Sequence, residues 1–176
     1  MKSGKIITNL FAIALAAVLV GFDQFSKRLI MQNIPVNGDI TLIEKVFKIV
    51  YVKNTGAAWG IFSNLTWLLT VFSGIILGAV VFLYLRLDWN VKRQRPLMIL
   101  GVFIASGAIG NLIDRIVLKY VVDFLYFELI DFPVFNIADC YITISVIILA
   151  IMLIFYYKEE DIDLILKKKK RGSADG

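Results

Sequence analysis

From Leu65 to Leu85 the chain runs without a single charged residue. A helix of that length, at 1.5 Å per residue, crosses a hydrocarbon layer of roughly 30 Å. Three more apolar blocks follow the same rule, at Ile6–Phe22, 96–113 and Tyr141–Tyr157. Hydrophobic residues make up 59% of the 176. Soluble domains sit nearer roughly 45–50%, and so small a domain has too much surface to hide the excess. The sequence therefore predicts an all-α membrane protein with four transmembrane helices.

The blocks divide the chain. Lys2 and Lys5 precede the first apolar run, as in a signal peptide, but no small-x-small cleavage site and soluble domain follow, so it reads as a retained first helix. Pro35, Asn37 and Gly38 make a turn. Ile40–Val52 then alternates apolar and polar residues and is rich in β-branched and aromatic types, which predicts a small extracytoplasmic β element. VVDFLYFEL, from Val121, alternates loosely and is a further candidate strand. The expected layout is one membrane-embedded domain over 1–158, with spans near 6–22, 65–85, 96–114 and 139–157. Outer segments are expected near 23–64 and 115–138, and a charged cytoplasmic tail at 159–176.

Orientation follows from the distribution of basic residues. The N-terminus, the 86–95 loop and the tail carry twelve Lys and Arg; the two longer loops carry seven. Both termini are therefore expected in the cytoplasm and both structured loops outside. The net charge of +5 suits anionic lipid heads. It does not indicate nucleic acid, because the Lys run 167–170 lies in a short tail without an aromatic platform.

There is no histidine and one cysteine, Cys140. That removes Ser-His-Asp and Cys-His catalysis, the usual zinc sites and any internal disulfide. No metal or cofactor is expected. Hydrolysis would have to run on carboxylates, Lys or Ser. Asp114 lies 18 residues after Pro96, and Tyr157 lies 18 after Asp139. Each separation is about 27 Å of helix. Asp114 and Asp139 thus reach a similar depth on consecutive antiparallel helices. Two close carboxylates resist joint ionisation and share a proton, the state an aspartic protease uses. Spacing alone leaves three readings open: a catalytic dyad, two interfacial helix-end residues, or a proton or ion relay.

Other residues cluster on the same side. Asp23 and Lys27 share a helix face at i and i+4. Asn54 precedes a glycine turn, and Asn111 and Asn136 each lie three residues before an aspartate. Arg115 could hold loop backbone or a lipid phosphate. Asp123 reads as a loop-folding acceptor. Phe124, Tyr126 and Phe127 read as an interfacial aromatic belt or a lid. Gly107 and Gly110 form a small-x-x-small face suited to close helix packing.

The pieces DQFSK at 23–27, NTGAAWG at 54–60, GAIGNLIDR at 107–115, VVDF at 121–124 and FNIAD at 135–139 occur in this order between four spans. In this the chain resembles the bacterial lipoprotein signal peptidases (signal peptidase II). The resemblance implies an aspartic intramembrane endopeptidase of the cytoplasmic membrane, with Asp114 and Asp139 as its dyad. It implies cleavage of a prolipoprotein just before the diacylglyceryl-modified cysteine. Asp23, Lys27, Asn54, Gly56, Asn111, Arg115, Asn136 and Ala138 are then expected to bind substrate or support the site. The implied partners are prolipoproteins and membrane lipid, met by a monomer. Trp59 and Ser106 stand where the family often has phenylalanine and glycine. The rival functions are a small proton channel or transporter and a non-enzymatic assembly subunit.

Overall fold

The computed structural model describes residues 2–56 and 66–161. Trp59 and most of the charged tail lie outside the described residues. Four helices carry the chain: α1 (Lys2–Asn33), α2 (Thr66–Arg86), α3 (Arg95–Val117) and α4 (Ile137–Phe155). Each is long and apolar enough to cross a membrane. Pro96 stands in the first turn of α3, where its missing N–H costs nothing.

α3 lies at the centre, packed on α1, α2 and α4. In its most apolar stretch 44% of residues are buried, against 6%, 0% and 11% in α1, α2 and α4. The other three helices therefore expose most of their apolar surface, as lipid-facing helices do. Phe11, Trp67, Ile75 and Ile154 are examples.

One feature departs from the sequence reading. α1 does not stop at Phe22, where the apolar run ends, but continues to Asn33. Its polar residues Asp23 and Lys27 therefore stand on a helix, with Phe22, Phe25 and Leu29 still exposed on its other side.

The strands are β1 (Asp39–Ile43), β2 (Phe47–Asn54) and β3 (Val121–Phe127), in one antiparallel sheet of order β1-β2-β3. Asn37 and Lys45 take positive φ in the turns before β1 and between β1 and β2. β2 meets β3 from Phe47↔Phe127 to Asn54↔Val121, with an irregularity between Ile49 and Val52. A small core of Ile34, Tyr51, Val122 and Phe124, with Ile30 and Ile137 against it, fixes the sheet to the ends of α1 and α4.

At the other end of the bundle the α2–α3 connection is tied to the end of α4. Arg93 pairs with Asp161, and the Tyr157 hydroxyl donates to the Arg93 carbonyl at 2.6 Å. The sheet and this clamp thus mark opposite ends of the molecule.

Candidate active site

The polar groups of α1, α3, β2, β3 and α4 converge at the sheet end. Asp23 and Lys27 form the i,i+4 pair that the sequence suggested, with Nζ–Oδ2 at 2.9 Å. They are fully buried rather than interfacial. Lys27 Nζ also meets Asp114 Oδ2 at 3.0 Å and donates to Asn111 Oδ1 at 2.9 Å. A buried ammonium demands such partners, and here α3 supplies two of them.

Glycines make this approach possible. A Cβ at Gly110 would lie 2.5 Å from Asp23 Oδ2, and one at Gly107 would lie 2.4 Å from the Ala138 carbonyl oxygen. The small-x-x-small face of α3 therefore admits the Asp23 carboxylate on one turn and the start of α4 on the other. Ala138 is fully buried and its N–H donates to Asp23 Oδ1 at 3.0 Å. Ser106, one position earlier, is also buried and turns its hydroxyl back to the Val102 carbonyl at 2.7 Å.

Asp114 is saturated. Besides Lys27 it accepts from Gln24 Nε2 at 2.9 Å and from the Val122 N–H at 3.1 Å. Gln24 also donates to the Gly110 carbonyl at 3.1 Å. Sequence reasoning did not single out Gln24. Its only signal was its place between Asp23 and Lys27.

Asp139 stands in the first turn of α4, in a capping box with Asn136: each side chain accepts from the other's backbone N–H, both at 3.1 Å. Such reciprocal caps satisfy donors that a helix start leaves open. Its other oxygen accepts from Asn111 Nδ2 at 2.7 Å. The amide of Asn111 thus crosses to α4 instead of orienting Asp114 on its own helix.

Asp123, on β3, accepts from Asn136 Nδ2 at 2.6 Å and from Asn54 Nδ2 at 2.7 Å. Asn54 is itself fixed, because its oxygen accepts the Gly56 N–H at 2.9 Å. Burial, and then the charge of Asp139, push the Asp123 carboxyl up to about 7. Asp123 therefore belongs to the polar cluster, and is more than a loop-folding acceptor. Arg115 lies within the field of Asp139, Asp123 and Asp114, and its Nη1 is 3.5 Å from the Asn111 carbonyl, a long contact. Phe124 is neither belt nor lid: it is buried in the sheet core. Phe127 stacks on Phe135 and meets Phe47 at a tilt.

The cluster divides by its donors. Asp23 and Asp114 share one ammonium. Asp123 and Asp139 accept from neutral amides only, among the described residues, and both are held by Asn136. Carboxylates that meet only neutral donors can trade a proton.

A family model described as Signal peptidase (SPase) II matches residues 15–155. The lipoprotein signal peptidase of Brevibacillus brevis (strain 47) is 41% identical over 135 residues, which is 77% of this chain and 89% of that protein. That of Streptococcus thermophilus (strain CNRZ 1066) is 37% identical over 135 residues, 77% of this chain and 86% of that protein. The fold is similar to a solved "Bacterial membrane enzyme structure by the in meso method at 2.3 A resolution", with TM-score 0.72 and 32% identity over 93% of this chain and 94% of that one. The five ordered motifs, the four-helix fold and these matches agree: the chain belongs to the signal peptidase II family and is a bacterial membrane enzyme that cuts peptide bonds.

Proposed function

We propose that this chain removes signal peptides from prolipoproteins, cutting before the diacylglyceryl-modified cysteine, with Asp139 and Asp123 as the acid–base pair. The observation that carries the pairing is the division of donors. Asp123 and Asp139 meet neutral amides and share Asn136, while Asp114 is tied to Lys27. The ionised member of the pair takes a proton from water as the water oxygen attacks the scissile carbonyl. The protonated member polarises the carbonyl oxygen, and a proton later reaches the leaving amine.

Pairing Asp114 with Asp139, as the sequence resemblance implied, is the second reading. The chain of contacts from Asp114 through Lys27 and Asn111 to Asp139 supports it. The saturation of Asp114 by Lys27, Gln24 and Val122 favours the first.

The discriminating experiment incubates purified enzyme with a diacylglyceryl-modified prolipoprotein and compares Asp114→Asn, Asp123→Asn and Asp139→Asn. Asp123→Asn and Asp139→Asn are expected to lose on the order of 10²–10⁴ in rate. Asp114→Asn is expected to lose thermal stability together with activity. Full cleavage by Asp123→Asn would transfer the role to Asp114; full cleavage by Asp139→Asn would sink both pairings. Cleavage is also expected to be indifferent to EDTA, because the Lys27 ammonium occupies the place among Asp23, Asp114 and Asn111 where a bound cation would sit. Loss of activity on chelation would refute this.

The same proposal places the enzyme in the cytoplasmic membrane as a monomer, with both termini in the cytoplasm and the sheet end outside. The density of Lys and Arg in the N-terminus, the 86–95 loop and the tail supports that orientation. Substrate then enters sideways from the lipid.

A further inference from the structure

Lys27 has no hydrogen bond or ion pair with Asp139 or Asp123 among the described contacts, yet it determines what Asp139 meets. An ammonium donates and cannot accept. Lys27 donates to Asn111 Oδ1 at 2.9 Å, and Asn136 Nδ2, also donor only, reaches the same oxygen at 3.1 Å. With two donors on its oxygen, the Asn111 amide has one orientation, and its NH₂ must face Asp139. It does so at 2.7 Å. The other Asp139 oxygen takes the Asn136 N–H at 3.1 Å, in the first turn of α4, where the helix dipole favours an anion. Positive charge on the amide oxygen also polarises the amide and strengthens the NH₂ as a donor.

We propose that Lys27 is a positioning residue for the cleavage reaction, acting through the Asn111 amide to keep Asp139 the ionised partner and leave the proton on Asp123. This rests on the Asp123–Asp139 reading above. The charged groups around Asp139 are Asp23 and Lys27 from α1, Asp114 and Arg115 from α3, and Asp123 from β3. Asp23 and Asp114 both bind Lys27 directly and offset its charge; its field reaches both Asp139 and Asp123, but its hydrogen-bonded link to Asp139 runs through Asn111.

The step balances. Asp139 takes a proton from water as the water oxygen bonds to the scissile carbon; the C=O π bond opens onto the carbonyl oxygen, which takes the proton of Asp123. On collapse the C–N bond breaks. The amine nitrogen takes the proton held by Asp139, Asp123 recovers one from a hydroxyl of the intermediate, and the pair returns to its starting state.

The test measures kcat/KM against pH for the full-length enzyme with a diacylglyceryl-modified prolipoprotein. The acid limb of that profile reports the base. Lys27→Met is expected to move the limb to higher pH by about one unit or more, with KM unchanged, and Lys27→Arg to restore it. Because Lys27→Met leaves two buried carboxylates without a counterion, the charge-balanced Lys27→Met/Asp114→Asn pair is read in the same way. A limb that stays in place while activity falls evenly at every pH overturns the proposal. So does failure of the balanced pair to fold where Asp114→Asn alone folds, which would make Lys27 purely structural. Full cleavage by Asp123→Asn removes the underlying dyad instead. The Lys27 proposal fails separately when Asp123→Asn and Asp139→Asn are inactive and the limb does not move.

Discussion

At Gly110 a single hydrogen atom decides whether the site assembles. The Asp23 carboxylate that a methyl group would meet there is tied to Lys27 and to the Ala138 N–H, so it cannot swing aside. Gly110→Ala is therefore expected to lower stability by roughly 1–3 kcal/mol, the usual cost of overpacking, and to cut prolipoprotein cleavage with it. Gly74→Ala is the control: nothing lies within 4 Å of its Cβ position, and alanine there gains helix propensity of up to about 1 kcal/mol. Thermal unfolding in detergent compares the two. A Gly110→Ala protein as stable as Gly74→Ala would show that α1 and α3 pack more loosely than described. The small-x-x-small pattern was legible in the sequence, and so was the Asp23–Lys27 pair, because both depend on spacing within one helix. What Lys27 touches on α3 was not legible, because that depends on how two distant helices face each other. The role of Asp123 was hidden for the same reason: an acid in a strand pattern gives no sign of the amides that two other segments bring to it.

Among the elements, α4 is capped by the site residue Asn136 and β3 carries Asp123 near its start, so their local structure and the chemistry are coupled. Asn136 caps α4 with its oxygen and donates to Asp123 and Asn111 with its nitrogen. Asn136→Ser keeps a cap but loses the donor, whereas Asn136→Ala loses both. The serine variant is expected to be more stable than the alanine variant by about 1 kcal/mol, with both nearly inactive. A fully active serine variant would mean that capping alone is what Asn136 supplies. Asp123 adds a pH dependence. Its folded value of about 7 lies above the ordinary 3.8, so between these values the folded protein holds a proton that the unfolded chain has released. Stability should therefore fall as pH rises through that window and level off above it. Asp161 acts with the opposite sign: the Lys158 N–H, and then Arg93, lower it. Its contribution is lost only below the ordinary carboxylate range. A melting temperature that rises from about pH 5 to about pH 8 would contradict the assignment for Asp123. The strands themselves were readable from alternation in 40–52 and 121–129. That β3 lies against β2, with Asn54 opposite Val121, was not, because the register is set by the small core under the sheet and not by either strand alone.

For the whole molecule, the separation of its two ends makes the proposed orientation testable without any assay of cleavage. Glu44 lies exposed in the turn between β1 and β2, and Asn90 lies exposed in the α2–α3 connection at the opposite end. The native Cys140 sits at the start of α4 and is half-buried, so it is first replaced by alanine. Single cysteines at Glu44 and Asn90 then report which side each end faces. A membrane-impermeant maleimide added to intact spheroplasts should label Glu44→Cys and spare Asn90→Cys, and lysis should open Asn90→Cys to the reagent. Labelling of Asn90→Cys alone before lysis would invert the orientation and place the carboxylates beside the cytoplasm. That outcome would weigh against the proposed substrate as well. A signal peptide spans the membrane from the cytoplasmic side, and on the proposed reading the modified cysteine that follows it would meet the proposed pair at the depth where Asp123 and Asp139 stand. On the proposed orientation, the four-helix frame would set both which end of the substrate is cut and the side on which the product is released.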